Sequence, residues 1–103
     1  AVWARYRGLR ADAPTWVWTA AAPFTRLPRG KAILIVLPCP ARLHLGRDGW
    51  RDARDIECAP QSLGHSSLHV SAATLAPHRS LEFTWQDTRD GRWHDARYSL
   101  ELD

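Results

Sequence analysis

Two tryptophans, Trp50 and Trp93, come directly out of near-identical segments, Arg47-Asp48-Gly49-Trp50 and Arg89-Asp90-Gly91-Arg92-Trp93. An Asp-Gly pair between alternating apolar stretches signals a tight β-hairpin turn, because glycine takes φ > 0 without strain. An indole at the mouth of such a turn is badly placed to fill a small core. It is well placed to present a broad, rigid face with a single N–H donor. The chemistry on offer is stacking against a flat ligand, with a sugar ring as the first candidate. The competing reading folds each indole back over its own turn as a structural lid.

Other reactive side chains offer less. His65 and His69 stand four apart in a segment that reads as turn and strand, where four residues span about 13 Å, too far for one shared ion. No Glu follows His65, so the zinc-protease signature is absent, and no phosphate-cradling loop, dinucleotide fingerprint or nucleophile motif occurs. A chain of 103 residues leaves little room for two carboxylates facing each other across a glycosidase cleft. The expectation is a non-enzyme with no cofactor and no metal. Cys39 and Cys58 leave two readings open. A bridge would close a loop of about 20 residues and stabilise by roughly 3 kcal/mol; free, they would act as small buried apolar groups.

The elements that must position the tryptophans belong to one domain with a single core. Tryptophan is the departure from ordinary composition, at 6 residues against two Tyr and two Phe. The net charge is +3 and the basic charge is almost entirely arginine, Lys31 being the one lysine, and the arginines are interleaved with aspartates as in Arg51-Asp52-Ala53-Arg54-Asp55. A nucleic-acid surface concentrates its positive charge, so that partner is not expected. The longest apolar run, Ala32 to Leu37, is far too short to span a bilayer, so no membrane partner is expected either. With no methionine at all, the chain reads as a piece of a longer polypeptide or a processed product.

Residues 1–14 read as a linker or edge segment, and 15–103 as the domain proper. Thr15–Thr19 has strand composition with Trp16 and Trp18 on one face, an edge strand covering the core. Residues 20–30 read as a loop. Lys31–Leu37 is a continuous aliphatic run, expected as a central strand covered on both faces. Short alternating strands follow. Leu43 and Leu45 point in and His44 out; Ile56 points in; Leu68 and Val70 are buried with His69 out. In Ser80–Gln86, Leu81, Phe83 and Trp85 face the core against Glu82, Thr84 and Gln86, and Tyr98, Leu100 and Leu102 close the pattern. Ser71 is a candidate cap for one short helical turn over Ala72–Leu75. Turns every 10 to 12 residues or so predict an all-β, antiparallel β-sandwich of immunoglobulin-like type.

From Leu43 onward the order of features resembles the starch-binding carbohydrate-binding modules of family 25. The residues that carry the resemblance are Leu43-His44-Leu45-Gly46, Asp48-Gly49-Trp50, Leu81 to Asp87, Gly91-Arg92-Trp93-His94-Asp95 and Tyr98. The resemblance implies a β-sandwich accessory domain whose platform is a strand histidine and two turn tryptophans, here His44, Trp50 and Trp93. The family's Trp-Asp-Asn-Asn segment is replaced by Trp93-His94-Asp95-Ala96-Arg97, which moves polar recognition to His94, Asp95 or Arg97. The expected partners are an α-glucan (starch, glycogen or maltooligosaccharide) and the catalytic domain of a parent enzyme. The alternative is a non-binding scaffold that packs its tryptophans against a neighbouring domain.

Overall fold

A computed structural model describes residues 13–103. Apart from Ala13 and Pro14, the expected linker at 1–14 lies outside the described residues. The strands are β1 (Thr15–Thr19), β2 (Arg26–Leu27), β3 (Ala32–Leu37), β4 (Ala41–Arg47), β5 (Arg51–Glu57), β6 (Ala59–Pro60), β7 (Ser66–Val70), β8 (Ser80–Asp87) and β9 (Tyr98–Leu102), with a 3-10 turn at Ser62–Gly64 and an α-helical turn, α1 (Ala72–Leu75). They form the expected sandwich of two sheets, ordered β1-β3-β7-β6 and β2-β9-β8-β4-β5.

The core is the inward set of these strands. Ile33, Ile35 and Leu37 of β3 meet Leu43, Leu45, Leu81, Phe83 and Leu100 from the opposite sheet, all buried. Trp18 joins the layers and is fully buried. Its ring stands edge-on to Phe83 at 4.7 Å and to Tyr98 at 4.7 Å, the arrangement that aromatic quadrupoles prefer. Trp16 packs edge-on against Phe24 at 5.5 Å. The edge strand that covers the core is therefore present as expected. Ser71 caps α1, its hydroxyl accepting from the Thr74 N–H at 3.2 Å.

Several local expectations change. β1 pairs with β3, and β2 with β9, in parallel, while the other ladders are antiparallel. The expected loop at 20–30 contains β2, a strand too short to show a period. On β3 one face is fully buried, but Leu34 and Val36 on the other are only half-buried, so that strand is not covered equally. Cys39 and Cys58 are both unbridged, and burial raises both thiols above the usual range. No helix among the described residues is long and apolar enough to cross a membrane.

Candidate ligand-binding cleft

Period-two alternation puts His44 on the outer face of β4, away from Leu43 and Leu45. The antiparallel register sets it opposite Asp55 of β5 on one side and Thr84 of β8 on the other. This row spans three strands and forms the floor of the site. His44 Nδ1 lies 2.6 Å from Asp55 Oδ1, which fixes the imidazole plane. The Thr84 hydroxyl donates to the Ala96 carbonyl at 2.9 Å and ties the segment after Trp93 across the sheet.

The first Asp-Gly segment is not a two-residue turn. Arg47 pairs with Arg51, so Asp48, Gly49 and Trp50 form a three-residue loop. All three are left-handed, with φ of 51°, 83° and 68°, and Asp52 follows at 52°. A left-handed residue other than glycine costs roughly 1–2 kcal/mol, so this loop persists only where its surroundings hold it. Asp48 Oδ1 accepts the Arg79 N–H at 2.7 Å and Oδ2 meets His78 Nδ1 at 2.9 Å. Those donors, the Arg79 amide first, hold the Asp48 carboxyl below its usual range. Glu82 Oε1 accepts from Gly49 and Trp50 N–H at 2.7 and 2.9 Å. A Cβ on Gly46 would stand 2.7 Å from Trp50 Cα and 3.0 Å from its ring. Trp50 thus folds onto β4 at Gly46, where the missing side chain leaves room for it.

The second segment makes a longer loop. Asp87 N–H donates to the Arg92 carbonyl at 2.8 Å, and residues 88–91 lie between them. Asp87 also grips the Arg89 side chain at 2.7 Å, and this contact lowers its pKa to about 2. Trp93 bridges to Gln86, and its side chain remains 49% exposed.

All six residues expected from the sequence, His44, Trp50, Trp93, His94, Asp95 and Arg97, line one open cleft of about 630 Å³, within the usual size range of small-ligand sites. The His44 ring is within 20° of the Trp50 plane at 5.6 Å and at 86° to Trp93 at 6.0 Å. The two indoles are therefore steeply inclined to each other and do not form one flat platform. The Arg97 guanidinium carbon lies 5.7 Å over the Trp50 ring. His94 is largely committed to the protein, stacked on Trp85 at 3.9 Å with Nε2 3.1 Å from the Tyr98 hydroxyl. The Asp95 side chain is fully exposed. Arg97 lines the cleft together with Asp55 and Asp95, so both signs of charge are present in it.

Sequence reasoning missed Ala53, Asp55 and Thr84, which also line the cleft, and Glu82 and Gly46, which support it. Glu82 and Thr84, expected on the solvent side, do face away from the core. They are nonetheless buried, at 4% and 8% exposure, because the loop at 48–50 and the segment around Ala96 close over them. For Gly46 the signal was present: an isolated glycine within a strand marks a bulge or a close approach.

No protein-family model matches the chain. It is 28% identical to a cycloisomaltooligosaccharide glucanotransferase of Niallia circulans over an alignment 100 residues long that covers 85% of the chain. The chain spans about a tenth of that enzyme.

Proposed function

We propose that this domain is a non-catalytic carbohydrate-binding module of a larger carbohydrate-active enzyme, taking α-glucan in the cleft by stacking on Trp50 and Trp93. One observation carries the reading: two inclined indoles and an aligned imidazole surround an open cleft in which both signs of charge are present. Such a surface suits the C–H faces of a neutral sugar chain, with Arg97, Asp95 and Asp55 beside it for the hydroxyls. The resemblance to family 25 starch-binding modules and the partial likeness to a glucanotransferase point the same way, the matched segment having the size of an accessory domain. That relative's name brings α-1,6-linked isomaltooligosaccharides into question beside α-1,4-linked chains.

If each indole covers on the order of 100 Å², apolar burial supplies roughly 5 kcal/mol gross. Association costs leave a Kd of about 0.1–10 mM for a short oligosaccharide. The test is a titration of the 103-residue chain with maltoheptaose and with isomaltoheptaose, followed by tryptophan fluorescence. Saturable quenching that Trp50→Ala and Trp93→Ala each abolish, with the fold kept, is the expected result. Silence toward both sugars, amylose and glycogen up to tens of millimolar would leave the scaffold role instead.

A further inference from the structure

Glu82 does not line the cleft, yet its carboxylate is the most deeply buried acidic group beside it, at 4% exposure. It sits beneath the Trp50 loop. Oε1 takes the N–H groups of Gly49 at 2.7 Å and Trp50 at 2.9 Å, and Oε2 takes the Ser99 hydroxyl at 3.3 Å. Successive backbone N–H groups in a turn form a hollow that binds anions. Here the anion is supplied by the chain itself, through short, charge-assisted bonds.

We propose that Glu82 is a positioning residue for the cleft: its buried carboxylate holds the loop at Asp48, Gly49 and Trp50 left-handed and so fixes the Trp50 indole beside His44. The effect on affinity rests on the glucan-binding reading; the hold on the loop does not. A Trp50 backbone at φ 68° relaxes to negative φ when its N–H is released, because an L-residue is strained there. That rotation carries the indole off Gly46 and away from the His44 plane. A ligand must then supply the cost of reassembling the surface, which appears as lost affinity.

The experiment compares wild type with Glu82→Gln, which keeps the shape and loses the charge. The readouts are maltoheptaose affinity, thermal midpoint, the amide shifts of Gly49 and Trp50, and the ring-current shift of Trp50 on the His44 ring protons. The expected result is that both amides move upfield and the His44 protons lose their ring-current shift, while the Trp93 indole resonance stays. Affinity should fall about tenfold, the difference between charge-assisted and neutral hydrogen bonds. Should Glu82→Gln not fold, Ser99→Ala frees the same carboxylate from its far side and moves the same resonances less. Unmoved amides and His44 protons in Glu82→Gln, beside a wild type that binds, overturn the proposal alone. Shifts spread evenly over both sheets overturn it in favour of a general stabilising role. A wild type that ignores glucans overturns the affinity claim together with the binding reading.

Discussion

The two tryptophan-bearing loops begin from nearly the same residues and end as different devices. The loop at 48–50 is short, left-handed throughout and clamped from two sides, by Asp48 on the start of β8 and by Glu82 from below. Its indole lies on Gly46. The loop at 88–91 is longer and closed mainly by its own bonds, Asp87 to Arg92 and Arg89 and Gln86 to Gly91. Its indole stands half exposed. One inserted arginine between glycine and tryptophan separates the two. Trp50 is thus held by its surroundings, while about half of Trp93 stays exposed.

The largest effect comes from putting a methyl group on one glycine of each region. At Gly46 a Cβ would meet backbone at 2.7 Å, whereas at Gly91 the nearest atom is the end of the Gln86 side chain at 3.9 Å. Gly46→Ala should destabilise by about 2–3 kcal/mol through overpacking. Gly91→Ala should cost only about 1 kcal/mol of left-handed strain. Equal shifts in denaturant midpoint would remove the distinction between the loops. Next come the indoles themselves. Trp50→Ala should cost about 1–2 kcal/mol of stability as well as affinity, while Trp93→Ala should stay within about 0.5 kcal/mol of wild-type stability and lose affinity alone. Chemical denaturation beside the sugar titration separates the two outcomes.

Arg97→Ala sharpens the picture further. Loss of the guanidinium over Trp50 should weaken sugar binding about fivefold, in keeping with an exposed cation–π contact and one polar recognition group. A gain in affinity would instead make Arg97 a competitor for the Trp50 face. The smallest effect is acidic. Asp87 is depressed from 3.8 to about 2 by Arg89, so the unfolded chain binds its proton first and stability falls as pH drops from near 4 toward 2. Asp48 shifts in the same direction. The thermal midpoint of wild type should fall over that interval, and Asp87→Asn should flatten part of the fall.

The sandwich was legible because burial enforces alternation. Leu81, Phe83 and Trp85 face one way and Tyr98, Leu100 and Leu102 follow the same rule. The parallel edge pairings were not legible, since nothing local in Arg26–Leu27 names a partner on β9. The lining of the candidate cleft was legible where one residue type speaks for itself, as with Trp50 and Trp93. Asp55 was hidden by register. A two-residue turn at Asp48-Gly49 would set Ala53 opposite His44. The third loop residue and the irregularity between Leu45 and Arg47 each shift the pairing by one, and together they bring Asp55 there on the same face. Glu82 was hidden because alternation reports which side of a sheet a residue faces, not what covers that side.

The parallel pairing of β2 with β9 also has a history in time. Arg26 reaches Glu101 at 2.7 Å across 75 residues of chain, and Leu27 is buried beside Leu102. A ribosome adding 5–20 residues per second separates the synthesis of those partners by about 4–15 s. The two strands of the β4–β5 hairpin are made within a few residues of each other, so the wall that carries His44 and Asp55 is synthesised long before the strand that seals the far edge of the sheet. A nascent chain halted before β9 would carry that hairpin and lack the strand that closes the core over Trp18.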